Sequence, residues 1–363
     1  MQSSLQNSRD KLLEQLVDFL WRQWAALGVP GNRVCDGDWI IDPESLLLIT
    51  TAIGRHDARL LDLAIDWLHS HGKGINLQRL SRLQGQWGAS DERVLSGIAE
   101  ILSEQSVMRK WKPQINKSSR ESLRETHRFP DSPEPLFVSY TDNSPPVFGE
   151  PDPRFEKYGL LRSRWEPRNA CKPPRADLPC NLLWTLRSLF GVSARAEVMA
   201  WLLTHESGHP AAIAKDTGYF SKSIQVALNE MEQSGHVRSE RGGREKKFRL
   251  YRPHWSFLIA GQESRGFPRW IHWPLVFHFA FRTLELLGMA DTSGGSEHLR
   301  AIQQRRFLDE IAPTLRESGL RSFMTAHRDL TGKSLMDAIL RDVGELGRLL
   351  DTDFMPHHPT CQP

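Results

Sequence analysis

Five side chains at helical spacing open the chemical reading of this sequence. Lys222, Ser223, Gln225, Val226 and Asn229 fall on one side of the segment from Ser221 to Gly235, and Ile224, Ala227, Leu228 and Met231 fall on the other. An ammonium, a hydroxyl and two carboxamides on an outward face contain no acid-base pair or activated nucleophile. They are instead the groups that hydrogen-bond base edges and phosphate oxygens in a DNA groove, while the apolar side anchors the helix. Just downstream, Val237 to Arg252 holds seven Lys or Arg against two Glu. Arg238, Arg241, Arg244, Lys246 and Lys247 are the candidates there for contacts to a phosphate backbone. A charge run is more often only a solvated face, but its place directly after such a helix makes the docking role the expectation.

The elements that must position these groups are legible around them. Ser193 can cap a helix through Leu203, with Glu197 complementing its positive end and Val198, Trp201 and Leu202 forming a buried stripe. Pro210 fits a first helical position, and Gly218 can end the short helix that follows in a left-handed conformation. Ser221 can cap the next helix. After Gly235, the pair Gly242-Gly243 supplies a tight turn, and Phe248 and Leu250 alternate with charged neighbours, which predicts an antiparallel hairpin.

Ile213-Ala-x-x-Thr-Gly218, followed by Ser221-x-x-Ile-x-x-x-Leu-x-x-Met-x-x-x-Gly235 and a basic hairpin, resembles the winged helix-turn-helix domains of ArsR- and MarR-type bacterial transcriptional regulators. The resemblance covers Ser193 to Arg252 and implies duplex DNA as the partner. The family's recognition-helix and wing positions map onto Lys222, Ser223, Gln225, Val226, Asn229, Arg241, Arg244, Lys246 and Lys247. This chain departs from the pattern in being much longer and in lacking the Cys or His clusters of the metal-sensing members. As a whole it is also similar to winged-helix proteins encoded beside nucleotidyltransferase-type toxin genes.

At 363 residues, 39% hydrophobic and 25% charged, the chain is long enough for two or three domains with cores of their own. The net charge of +3 is unevenly placed. Residues 181–256 carry four more basic than acidic side chains, and no other segment departs from neutrality by more than one. A near-neutral protein with one basic module implies a single docking surface. No run approaches the length of a spanning helix, the first twenty residues lack a signal-peptide core, and Cys35, Cys171, Cys180 and Cys361 have no CxxC spacing. A cytoplasmic protein with no membrane contact and no cofactor is expected.

The expected fold class is mainly α and multi-domain, with a central winged helix-turn-helix between helical domains. Residues 1–112 read as an N-terminal helical domain, 113–180 as a Pro-rich extended arm, 181–256 as the DNA-binding domain and 257–363 as a C-terminal helical domain. In the first of these, Leu12, Leu16, Phe19 and Leu20 mark one helix, Trp39-Ile40-Ile41 reads as strand-like, and Asp42-Pro43 and Asp57 start two further helices. The piece from Gly74 to Leu83 would present Gln78, Arg79 and Arg82 to a groove if it were a second helix-turn-helix, but no wing follows it and a packing role is favoured. Phe137, Tyr140, Phe148, Phe155, Tyr158 and Trp165 predict that the arm lies across a surface rather than hanging free. Helices are expected over Asn181–Phe190, Leu275–Leu287, Ser296–Ile311 and Ser334–Leu350.

No catalytic constellation holds, so no enzyme, catalytic residue or metal site is expected. Asp62, Asp66 and His69 share a helix face that a solvated surface explains. His205 and His209 have zinc-like spacing, but Gly208 and Pro210 break the helix that spacing needs. Cys171 and Cys180 are expected as free thiols, and His357-His358 sits in a Pro-rich tail.

The resulting expectation is a sequence-specific regulator of transcription, autoregulatory and homodimeric. Two rivals stand beside it. One is an antitoxin-like or scaffold protein of a toxin-antitoxin or defence operon, in which the arm and winged helix hold a protein partner. The other is an RNA-binding accessory protein, since a basic hairpin suits either duplex backbone.

Overall fold

A computed structural model of the chain describes residues 2–31, 39–117, 133–138, 149–242, 245–259, 266–292, 302–303, 305–306, 309, 329–330 and 332–352. The fold is mainly α-helical. In chain order the α-helices are α1 (Gln2–Ala26), α2 (Pro43–Ile53), α3 (Ala58–His71), α4 (Leu77–Trp87), α5 (Glu92–Ser103), α6 (Lys112–Lys117), α7 (Pro153–Glu156), α8 (Leu182–Phe190), α9 (Ala194–Thr204), α10 (Pro210–Thr217), α11 (Ser221–Gln233), α12 (Trp273–Thr292) and α13 (Gly332–Thr352). The strands are β1 (Glu134–Pro135), β2 (Leu160–Leu161), β3 (Val237–Gly242) and β4 (Glu245–Leu250). Two compact units divide the chain, one of Met1–Trp21 with His272–Pro363 and one of Arg22–Ile271.

In the first unit, Leu12, Leu16, Phe19 and Leu20 of α1 are buried, as their spacing requires of an amphipathic helix. Phe19 meets Trp273 and Phe277 of α12 at ring-centroid distances of 5.3 and 6.4 Å. From α13, Leu335, Ala338, Leu346 and Leu350 are buried, and Gly347 sits where a Cβ would collide with Gln15. The helix expected over Ser296–Ile311 lies almost wholly outside the described residues.

The second unit begins with helices whose starts follow their caps. Asp42 accepts from the backbone of Ser45 ahead of Pro43, Asp57 accepts from Leu60, and Asp91 accepts from Arg93 and Val94. Indole groups tie the layers together: Trp24 donates to Thr50 Oγ1 at 2.9 Å and Trp67 to the Leu27 carbonyl at 2.6 Å. The run Trp39-Ile40-Ile41 is not a strand. It makes one parallel bridge to Arg269, and Ile41 bonds to the Cys180 carbonyl.

The described part of the Pro-rich segment crosses these helices. β1 pairs in parallel with β2, and Leu136, Phe155, Tyr158 and Trp165 are buried, whereas Phe137 is half-buried. Phe155 enters so deeply that its ring lies 2.5 Å from the position a Cβ on Gly97 would occupy. Tyr140 and Phe148 lie outside the described residues. Asp66, on α3, is 1% exposed and accepts from three successive backbone N–H groups, of Arg168, Asn169 and Ala170, at 2.7–2.9 Å. Burial alone would raise this carboxyl, but the three donors hold it below its ordinary range. The solvated face expected for Asp66 is therefore replaced by an anchor for the segment. Asp62 is engaged beside it, bonded to Arg162 at 2.7 Å.

Candidate nucleic-acid interface

The chain from α8 to β4 forms one continuous core within the second unit, built from Leu182, Leu186, Val198, Leu202, Ile213, Ile224, Leu228, Val237 and Phe248, among others. Each comes from the buried side of its element, so the helical and strand periods fix which side chains are left outside. Three local devices set the geometry. Gly208 exchanges two backbone hydrogen bonds of 2.9 Å with Phe248, which ties the loop before α10 to β4. Trp201 donates to Asp216 at 2.9 Å and stacks on His205 with ring centroids 3.8 Å apart. Gly218, at φ 72°, turns the chain between α10 and α11 in a conformation that only glycine adopts without strain.

On α11, Ile224, Ala227, Leu228 and Met231 face the core, and Lys222, Ser223, Val226 and Asn229 are exposed. Gln225 is half-buried, and its carboxamide donates to Asn229 Oδ1 at 3.0 Å. That bond uses one donor and one acceptor of the two amides, and leaves the Asn229 NH2 group and the Gln225 carbonyl unused by it. Neither serine acts as expected at a helix start. Ser193 holds the N-cap position of α9 but its hydroxyl donates back to the Phe190 carbonyl, and Phe220, which has no polar atom in its side chain, precedes α11 where Ser221 was expected to cap.

In the hairpin, Val237 pairs with Leu250, Ser239 with Phe248 and Arg241 with Lys246. Val237, Phe248 and Leu250 are buried, while Arg238, Arg241 and Lys247 are exposed and have no ion-pair partner among the described residues. Lys246 is different. It bonds to Glu232 of α11 at 2.5 Å, and Glu232 also accepts from the Ser239 hydroxyl. These hydrogen bonds hold the Glu232 carboxyl below its ordinary range. Of the wing cations expected to be open, Lys246 is thus committed to fixing the hairpin against α11. Arg249 pairs with Glu240, and Arg244 lies outside the described residues.

Beneath this surface is a buried ion set that the sequence reading missed. Arg187 of α8 donates to Glu44 at 2.7 and 2.8 Å, to Glu197 at 3.0 and 2.5 Å and to the Gly74 carbonyl at 2.9 Å, which uses all five of its N–H groups. Arg79 of α4 bonds to both oxygens of Asp42, to Glu44 and to the Thr217 carbonyl at the end of α10. Both guanidinium groups are almost wholly buried. Burial would push Asp42 up, but Arg79 overrides it and holds the carboxyl at about 2. Burial likewise raises Glu44, and Arg187 with Arg79 brings it below its ordinary value. Glu197 goes the other way: burial dominates, its Oε2 has no partner, and its proton is held more tightly than usual.

One sequence expectation is corrected here. Glu197 does not complement a helix end at the surface; it is 0% exposed and belongs to the ion set. Arg79 has the packing role favoured for its piece of chain, locking α4 against α10 and α2. No local signal marks these roles, because Glu44 and Arg187 are separated by 143 positions.

The remaining candidates do not converge. His205 is stacked on Trp201 and half-buried, and desolvation lowers its affinity for a proton, while His209 Nδ1 accepts from Ala211 as the cap of α10. Among the described residues no group of three or more His, Cys, Asp or Glu is placed to hold a metal ion. Cys171 and Cys180 are free thiols, and burial first, then Asp66, pushes Cys171 up to about 12. No helix among the described residues is long and apolar enough to cross a membrane. Compared with family models, with curated proteins and with solved structures, the chain matches none.

Proposed function

We propose that residues 181–256 form a winged helix-turn-helix that binds duplex DNA sequence-specifically, and that the protein regulates transcription through one such unit in each subunit of a homodimer. One observation carries the reading: an α11 face open to solvent stands next to a hairpin whose exposed Arg238, Arg241 and Lys247 form no ion pair among the described residues. In this mechanism α11 enters the major groove while the hairpin and Lys222 neutralise phosphates and set the register. The Gln225–Asn229 pair offers one donor and one acceptor side by side, which matches the N7 and N6 groups of adenine. Lys222 suits guanine or a phosphate. A two-fold symmetric site follows from pairing two modules that each bind weakly.

The test is retention of the purified full chain on duplex DNA from upstream of its own gene, with a shuffled duplex as competitor, at several salt concentrations. If Lys222, Arg238, Arg241 and Lys247 neutralise one phosphate each, log affinity falls against log salt with a slope of about −3.6 per module. Arg241→Ala with Lys247→Ala should weaken both duplexes alike and flatten the slope by about 1.8. Asn229→Ala should instead reduce the preference for the upstream duplex, by about 1–3 kcal/mol. Absence of retention at low salt overturns the proposal.

A second reading has one observation in its favour. Leu189, Tyr251 and Phe257 are each more than half exposed, and Tyr251 and Phe257 border a pocket of about 440 Å³ with Trp255 and His254. Exposed aromatic surface of this kind suits a protein partner, as in an antitoxin or scaffold. Loss of a co-purifying partner on Phe257→Asp, with DNA retention absent, would favour it.

A further inference from the structure

The surface beside the N-terminal end of α11 is not made by the helix-hairpin unit alone. Its other wall is α4, held there by the Arg79 bonds to the Thr217 carbonyl and to Asp42, by a hydrogen bond from Asn76 to the Tyr219 hydroxyl, and by Leu83, whose side chain comes within 3.0 Å of where a Cβ on Gly218 would stand. Between α4 and Phe220 lies a groove of about 860 Å³ bordered by Gln78, Ser81, Arg82 and Lys110, and among the described residues no acidic side chain lines it. From Trp67 to Ser90 the chain contains no Asp or Glu at all.

Gln78 is exposed, and Arg82, one helical turn further along the same edge of α4, is half-buried. Arg82 has no carboxylate partner among the described residues. Its guanidinium carbon lies over the Phe220 ring, 4.6 Å from the centroid. Phe220 is 61% exposed at the start of the very helix proposed to read bases. An open aromatic ring, a guanidinium already placed over it and a wall without acidic residues among those described together favour an anionic ligand with an apolar part. That description fits the sugar-phosphate chain of DNA.

We propose that α4 is a second DNA-backbone contact. Arg82, assisted by Gln78, grips a phosphate of the duplex flanking the α11 site, and Phe220 packs against the adjoining deoxyribose. The proposal rests on the DNA-binding reading above and extends the footprint to a helix outside the helix-hairpin unit. Because the buried ion set fixes α4 before DNA arrives, this contact costs little ordering on binding.

The experiment measures the salt dependence of the full chain on its upstream duplex, for the wild type, Arg82→Ala, Arg82→Lys and Phe220→Ala. With Arg82 added to the four cations above, the wild-type slope is expected near −4.5 per module, and Arg82→Ala should return it to about −3.6 per module, with affinity about eightfold weaker per module at 0.1 M salt. Arg82→Lys should keep the slope, and Phe220→Ala should weaken binding without changing it. Hydroxyl-radical footprints should lose protection at the flank and keep it over the centre in Arg82→Ala. Retention of the wild type with an unchanged slope and footprint in Arg82→Ala would overturn the α4 contact and leave the winged-helix reading standing. Failure of the wild type itself to bind would remove both.

Discussion

Replacing Arg187 by Met tests whether the buried ion set holds the second unit together. The methionine side chain follows the arginine stem but not its guanidinium, so the substitution removes the charge and all five N–H donors. Glu44 would keep Arg79 but lose two charge-assisted bonds, the Gly74 carbonyl would lose one, and Glu197 would lose every hydrogen-bond partner it has. Removing one partner of a buried pair costs about 3–5 kcal/mol, because the opposite charge stays behind in a low dielectric. Against a total stability of about 5–15 kcal/mol, that is a large share. With a urea dependence of about 3 kcal/mol/M, the unfolding midpoint of the full chain, followed by far-ultraviolet circular dichroism, should fall by about 1–1.7 M. Adding Glu197→Leu to Arg187→Met should recover part of the loss, since the stranded carboxyl is gone. A midpoint shift below about 0.3 M for Arg187→Met would refute the reasoning, since it would correspond to less than about 1 kcal/mol and show that these charges are not desolvated as a set.

Two further outcomes follow from the same bonds. Asp42 and Glu44 are held below their ordinary values, so the stability they contribute is present at neutral pH and lost as pH falls; for Asp42 the window runs from 3.8 down to about 2, worth about 2 kcal/mol. Glu197 has the opposite sign: its contribution is complete at pH below its ordinary 4.5 and fades as pH rises through its elevated folded value. Glu197→Gln should therefore flatten the stability-pH curve measured by urea titration above pH 4.5, and an unaltered curve would count against a raised Glu197 carboxyl. Asp66→Ala frees three backbone N–H groups of the Pro-rich segment and should cost about 3 kcal/mol, with protease cleavage appearing near Arg168. Unchanged cleavage and melting would show that the segment is anchored elsewhere.

Most of the secondary structure around the candidate interface was legible because it is local. The buried stripe of α11 follows from the spacing of Ile224, Ala227, Leu228 and Met231, the turn from Gly218, and the hairpin from alternation around Phe248. The helix caps were legible less reliably. Asp42 and Asp57 cap as expected, but Ser193 turns its hydroxyl back to the Phe190 carbonyl, and Ser221 is already inside the helix, which begins one residue earlier than expected with Phe220 at the cap position.

What the sequence by itself determined was the order of elements, their inward faces and the concentration of positive charge in residues 181–256, all properties of neighbours along the chain. Only the tertiary structure decided which charges are free. Arg79, Arg187 and Lys246 are indistinguishable by type from Arg82, Arg238 and Lys247, yet the first three are bound to carboxylates and the others have no ion-pair partner among the described residues. The physical reason is that pairing and desolvation depend on what lies within a few ångströms in space. In this fold those carboxylates come from α2 and its cap, α9 and α11, and no pattern along the chain records which of them meet the basic groups.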